Sequence, residues 1–463
     1  MRRFRINRSF AACCLALVLL LSGCRVDWAT WGFGVERQGF NPAENTIGTA
    51  NVAQLQHKWS VDLGAYINAS PIVATDINIG GTPTDVVYVG TEHGVLFAVS
   101  TAGQILWYRG LGVIQTECPD TPDSKYGVSA SVVFDRQGNR VFVAGGDGFV
   151  YALDPATGAN LSGWPVKITA DPVHEVVFSA PTLFGNQVYF EIASHCDARP
   201  YRGRVVGINT STRVKTVFWV TGSRTGPDGG GIWGWGGASI DPADGDLYVA
   251  TGNSFTNPEN LPYADHIVRL SSTLQVKAAH APGTLIIDDD FGSTPTLFHK
   301  PGCPKQLVTE QKNGYLYLYD RDAIATGYRQ RLAIRPGGGF IGLPAYSPAT
   351  QMVYVPNQRQ PAGSPWTFGM IAFRLNANCM LELAWQTTAG PNGGIPSTPT
   401  IANGVVYYSD GFHGQIHAFN AATGAKLWAS GSEVTGPILA TPIVVNGQLL
   451  ASSYDNHLHA WGL

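Results

Sequence analysis

The chain has 463 residues, only 14% of them charged, with 55 glycines, 29 prolines and a formal net charge of −3. So few charges, against about 25% in ordinary globular proteins, and so many turn-formers fit a large all-β protein. The negative balance argues against nucleic acid as a partner, because holding a phosphate backbone takes a basic surface.

Residues 1–23 read as an export signal: basic Met1-Arg2-Arg3-Phe4-Arg5, an apolar run from Phe10 to Leu21, then Leu21-Ser22-Gly23-Cys24. That ending resembles a bacterial lipobox, which implies cleavage before Cys24 and acylation of its thiol, so the partner there is a lipid membrane. Arg25 is not the Asp that resembles an inner-membrane retention signal, so a periplasm-facing lipoprotein of the outer membrane is expected. Loss of the signal also removes Arg2, Arg3, Arg5 and Arg8 and leaves the chain more acidic. Residues 24–56 are then expected to form an N-terminal anchor and linker, and 57–463 the folded body.

Cys13 and Cys14 leave with the signal, and Cys24 is the lipidation site. Cys118, Cys196, Cys303 and Cys379 remain, an even set in an oxidising compartment, so two disulfides are expected with three pairings open. No pair has C-x-x-C spacing, which argues against zinc.

From residue 57 onward one pattern recurs eight times. It comprises a strand of small residues often with Pro, an apolar strand with Tyr or Phe, a third apolar strand, a turn, and then often Trp. The first strands begin near Ser70-Pro71-Ile72-Val73, Ser129-Ala130-Ser131-Val132, Ser179-Ala180-Pro181-Thr182 and Gly237-Ala238-Ser239-Ile240. They continue near Ser293-Thr294-Pro295-Thr296, Leu343-Pro344-Ala345-Tyr346, Ser397-Thr398-Pro399-Thr400 and Ala440-Thr441-Pro442-Ile443. Second strands such as Val86-Val87-Tyr88-Val89 and Val405-Val406-Tyr407-Tyr408 are rich in β-branched and aromatic residues, as a buried sheet requires. The pattern predicts an all-β, eight-bladed β-propeller of four-stranded antiparallel blades.

The last repeat stops at Leu458-His459-Ala460-Trp461, which matches a third strand, so the final blade lacks an outer one. Lys58-Trp59-Ser60-Val61-Asp62 closely resembles the outer strands Leu106-Trp107-Tyr108-Arg109 and Leu427-Trp428-Ala429-Ser430. Pairing it with the C-terminal blade would close the ring and remove a free edge. Trp59, Trp107, Trp164, Trp219, Trp385 and Trp428 recur at outer-strand positions and are expected to pack blade against blade rather than to bind a ligand.

Over almost all of this length the chain resembles the pyrroloquinoline quinone (PQQ) repeat family of quinoprotein alcohol dehydrogenases. The polyvinyl-alcohol dehydrogenase branch is the nearest resemblance, from Trp28 to Trp31, Arg37-Gln38-Gly39-Phe40-Asn41-Pro42, Ser194-His195-Cys196-Asp197 and Asp290-Phe291-Gly292. The resemblance implies PQQ and Ca²⁺ as cofactors. Within Gly229-Gly230-Gly231-Ile232-Trp233-Gly234-Trp235 it places a tryptophan flat on the quinone, and counting back from Asp241-Pro242 favours Trp235 over Trp233. It makes Asn253, in Tyr248-Val249-Ala250-Thr251-Gly252-Asn253, a calcium ligand, suited to a hard cation by its carbonyl oxygen. It makes Asp290, in Asp288-Asp289-Asp290-Phe291-Gly292, the base and a metal-site carboxylate, although three adjacent acids also suit a solvated turn. Lys312, in Glu310-Gln311-Lys312-Asn313-Gly314, falls where the family has a cation on the quinone oxygens. Asp197 is the acid nearest the family's acidic calcium ligand.

Two departures stand out. The family's adjacent, bridged cysteine pair is missing after residue 24, and no Cys-x-x-Cys-His haem site occurs, so electrons would pass to a separate acceptor such as a cytochrome. Adjacent Ser194, His195 and Asp197 do not make a hydrolase triad, whose members meet in space and seldom in one short peptide. The alternative to an alcohol-oxidising enzyme is a non-catalytic propeller similar to the lipoprotein scaffold of outer-membrane barrel assembly, which the fold supports equally.

Overall fold

The computed structural model describes residues 25–463 except 120, 256–259, 284–287, 336, 337 and 339–342, so Cys24 lies outside the described residues. Eight antiparallel sheets follow one another along the chain, each running from an innermost to an outermost strand. Blade 1 consists of Ile72–Ile79, Thr82–Gly90, Val95–Ser100 and Ile105–Gly110. The innermost strands of blades 2 to 8 are Val133–Asp135, Thr182–Phe184, Ser239–Ile240, Thr296–His299, Ala345–Ser347, Thr400–Ala402 and Ile443–Val445. The chain forms an eight-bladed β-propeller whose core lies mainly between neighbouring blades, where Val, Ile, Leu and Tyr of the second and third strands are fully buried.

Gln56–Asp62 is the outer strand of blade 8. It pairs antiparallel with His457–Gly462, with Trp59 opposite Ala460. The same pairing of Trp with Ala recurs at Trp107 and Ala98, Trp385 and Ala372, and Trp428 and Ala418. In each case a bulge inserts one residue just before the tryptophan, which re-aims the indole toward the next blade. The indole N–H of Trp59 donates to Thr101 O (3.0 Å), that of Trp107 to Pro155 O (3.1 Å) and that of Trp385 to Ala421 O (3.0 Å). Trp428 donates to Leu55 O, just ahead of the outer strand of blade 8 (3.1 Å). Trp164 and Trp219 do otherwise, packing on Phe142 and under Arg204 within their own blades.

The stretch read from the sequence as an anchor and linker, residues 24–56, is instead built into the ring from residue 25 onward. Trp28 exchanges backbone hydrogen bonds with Val73 of blade 1, and Ala29 O accepts from Phe134 of blade 2. Val35 O, Glu36 O, Gln38 O and Gly39 O accept in turn from Ile240, Leu297, Tyr346 and Ile401 of blades 4 to 7. Asn41 Nδ2 donates to Val444 O of blade 8 (2.9 Å), and Arg37 donates to Pro181 O of blade 3 (3.0 Å). Apart from Pro181, which lies just ahead of its strand, the bonded residues occupy equivalent places on the channel-facing edges of the innermost strands. This strap therefore satisfies edges that would otherwise face the channel unpaired. Phe40–Asn41 even adds a fifth, parallel strand to blade 7. The sequence missed the strap because a chain held by backbone edges shows no period of its own.

Trp28, Trp31, Arg37 and Asn41 are buried, so the strap fills the channel toward the turns that join first to second strands. That end is closed. Ile47, Val52 and Leu55 then pack with Trp461 under blades 7 and 8.

Candidate functional site

The family-like residues gather at the other end of the channel, on the turns after second strands and the connections entering first strands of blades 3 to 5. Asp197 ends a short 3₁₀ turn, His195–Asp197, after strand Gln187–Ile192 of blade 3. Asn253 follows strand Leu247–Ala250 of blade 4, and Lys312 follows strand Lys305–Glu310 of blade 5. Trp233 and Asp290 lie on the connections into the innermost strands of blades 4 and 5.

Asp290 is the hub. Its carboxylate is buried, accepts the Trp233 indole N–H at 2.7 Å and forms an ion pair with Lys312 Nζ at 2.9 Å. The Lys312 backbone N–H donates to Asp290 O at 3.0 Å, which ties the two turns together. Lys312 Nζ also reaches Asp288 Oδ1 at 2.6 Å and stands 4.9 Å from the centre of the Trp233 ring. Burial opposes the lysine's charge, but Asp290 and Asp288 prevail and raise its pKa. The run Asp290-Phe291-Gly292 thereby has one task per residue. Phe291 is buried in the core, and a Cβ at Gly292 would lie 2.2 Å from the Trp233 ring, so only glycine admits the indole.

Glycines fix the second layer in the same way. Gly230 N donates to Asn253 O at 2.8 Å, and a Cβ on Gly252 would approach Asp290 Oδ2 to 3.2 Å. Asn253 is buried and spends its Nδ2 on Ser254 O (2.9 Å), so its amide oxygen is the atom suited to a cation. Asp197 accepts the Tyr201 hydroxyl. Its pKa is raised by burial and by the charges of Asp290 and Asp288, against the pull of Lys312. A buried carboxylate raised by neighbouring acids belongs to an oxygen-donor site that a cation would relieve. Among the described residues, however, no three His, Cys, Asp or Glu side chains converge on one metal position.

The structure thus brings Asp290, Lys312, Asn253 and Asp197 into one neighbourhood and gives the two tryptophans different surroundings. Trp233 is the ring in contact with Asp290 and Lys312, whereas Trp235 faces a narrow crevice lined by Trp31, Phe178, Asn68, Ser70, Ser129 and Ser131. The two lie two residues apart in a glycine-rich run, and it is Trp233 that packs against Gly292. Tyr201 and Asp288 were not singled out from the sequence.

The disulfides are Cys118–Cys196 and Cys303–Cys379, with Cα–Cα distances of 5.4 and 5.6 Å. The first ties the Asp197 turn to blade 2. Beside it His195 packs edge-on against Tyr126 (4.8 Å) and Phe178 (5.6 Å). Its Nε2 has no hydrogen-bond partner, and burial lowers its pKa to about 4.

A family model described as outer membrane protein assembly factor BamB, of the PQQ-repeat type, matches residues 382–462. Polyvinylalcohol dehydrogenase of a Pseudomonas species is 22% identical, over 92% of this chain and 73% of its own length. Quinohemoprotein alcohol dehydrogenase ADH IIB of Pseudomonas putida is 24% identical, over 94% and 74%. Among solved structures, a europium-containing methanol dehydrogenase superposes with a TM-score of 0.71 at 18% identity, covering 94% of this chain and 98% of that one. The resemblance to PQQ-repeat propellers and to polyvinyl-alcohol dehydrogenases holds in these comparisons, and the structural likeness carries the fold.

Proposed function

We propose that this chain is an exported, lipid-anchored oxidoreductase that uses PQQ and Ca²⁺ to oxidise an alcohol and hands the electrons to a separate acceptor such as a cytochrome. The observation that carries the proposal is the buried Asp290 carboxylate, held by both Trp233 and Lys312. The donors fit the cofactors. Asp197, Asn253 and Asp290 offer oxygen ligands to a hard cation, and Lys312 offers an ammonium to quinone oxygens. A quinone held there would supply a hydride acceptor, and a calcium ion on these oxygens would supply a Lewis acid. Asp290 is the group placed to take the hydroxyl proton of the alcohol, its oxygens aimed by Trp233 and Lys312. Trp233 and Trp235 both present aromatic surface near the site, and Trp233 does so against the reacting carboxylate.

Export and lipidation at Cys24, facing the periplasm from the outer membrane, are supported by residues 1–24 of the sequence. Among the described residues no helix is long and apolar enough to cross a membrane. The match of residues 382–462 to the assembly-factor model favours a second reading, a protein-binding propeller without chemistry. Such a scaffold has no use for the Asp290 cluster.

The test is to purify the chain from Arg25 onward, add PQQ with Ca²⁺, and measure the bound quinone's absorbance and dye-linked alcohol oxidation. Binding and turnover, both lost in Asn253→Ala and Asp290→Asn, are expected. Absence of binding, or binding and turnover unchanged in those variants, refutes the enzyme and leaves the scaffold.

A further inference from the structure

The strap begins at the first described residue. Arg25 pairs with Asp76 and lies 3.0 Å from Asp85 Oδ2, both in the first hairpin of blade 1. Val26 N and O bond to the Asn446 side chain in the first turn of blade 8, each at 3.0 Å. Asp27 accepts from Thr75 N (2.7 Å) and from Arg136 Nε (2.8 Å), which reaches over from the first turn of blade 2. Three successive residues are thus clamped to three blades, all on the closed end of the ring.

A linker of the length first read for residues 24–56 would stretch to roughly 100 Å and let the propeller tumble at any angle. Here the clamp begins one peptide bond after Cys24, and consecutive Cα atoms are only about 3.8 Å apart. A lipid on that residue leaves no slack.

We propose that the closed end of the propeller rests on the membrane surface, so that the strap faces lipid headgroups and the Asp290 cluster opens away from the membrane toward soluble partners. The inference rests on the lipid anchor proposed above and adds the surface and the orientation. It is independent of whether PQQ is bound.

The experiment uses the full-length, acylated chain in vesicles of phosphatidylethanolamine and phosphatidylglycerol. A fluorophore is placed at Ala422→Cys, on the turn between third and fourth strands of blade 7 at the closed end. A second variant carries it at Phe412→Cys, an exposed position on the turn between second and third strands at the open end. The connecting strand, Ile416–Asn420, separates the labels by about 17 Å at ~3.3 Å per residue. A headgroup nitroxide lipid is expected to quench the label at residue 422 several-fold more than that at 412. Equal or reversed quenching overturns the orientation. Mass measurement and vesicle flotation separate this from failure of the anchor: an unacylated chain that does not float overturns both. A flexible Gly/Ser insert between Cys24 and Arg25 is expected to equalise the two labels. A bias that survives the insert overturns the short tether as its cause.

Discussion

The indole of Trp233 donates to Asp290 from one blade to the next, and Lys312 closes the triangle from above the ring. Neither Trp233 nor Lys312 is needed to build a blade. Their convergence on one buried carboxylate is what distinguishes this end of the ring from the closed one.

The triangle predicts a graded kinetic series. Asp290→Asn removes the proton acceptor and should lower kcat of the cofactor-loaded protein by about 10²–10⁴-fold. Trp233→Phe keeps the ring but loses a hydrogen bond to a charged group, worth roughly 10- to 100-fold. Trp235→Phe should cost less than Trp233→Phe. Steady-state rates with a dye acceptor check the order, and equal losses at both tryptophans would contradict it.

Glu310 predicts a pH dependence of stability. Burial pushes its pKa up to about 8, only partly offset by Arg335. Between the ordinary value of 4.5 and about 8 the folded protein keeps a proton that the unfolded chain releases. Stability must therefore fall as pH rises through that window, by on the order of 3–5 kcal/mol from this group, and stay flat below it. Urea unfolding at pH 5 and pH 8 should show a smaller difference in Glu310→Gln than in the native chain.

The rim makes a mechanical prediction. Gly424 has φ +73°, and a Cβ there would lie 2.5 Å from the Trp385 ring. Gly424→Ala should therefore cost about 2 kcal/mol or more, through backbone strain plus displacement of the indole from Ala421 O. Trp385→Phe, which keeps packing but not the hydrogen bond, should cost about 1 kcal/mol. Thermal melts and Trp fluorescence separate the two.

The disulfides should differ in consequence though not in strength. Their sequence separations of 78 and 76 residues imply similar loop-closure stabilisation, about 4 kcal/mol each. Cys303→Ser with Cys379→Ser should lower Tm and leave Ca²⁺-dependent PQQ binding intact. Cys118→Ser with Cys196→Ser releases the turn carrying Asp197, so it should lower Tm and weaken that binding too, as read by titration of quinone absorbance.

The blades were legible because each repeats the same burial demand: Tyr88, Tyr189, Tyr248 and Tyr407 mark second strands by side-chain type alone. The outer tryptophans were legible for the same reason, although the bulge that aims them was not. Pairing of Cys118 with Cys196 was not legible, since three connectivities satisfy the same sequence. The packing of Trp233 on Gly292, nearly sixty positions away, is likewise a contact that no spacing within one motif encodes. The strap was the largest omission. Its hydrogen bonds run from backbone to backbone, and apart from Trp28, Trp31, Arg37 and Asn41 its side chains leave little trace.

That strap sets the order of folding. Each blade is local in sequence and can form as soon as its own strands are available, yet residues 28–41 have no complete seat until blades 1 to 8 all exist. The outer strand Gln56–Asp62 likewise waits for His457–Gly462. The first part of the folded chain to leave the ribosome is thus the last to find its place, and loss of even the final ten residues should leave the strand Gln56–Asp62 without its partner and blade 8 open. An array of repeats that would otherwise melt blade by blade becomes one all-or-none unit.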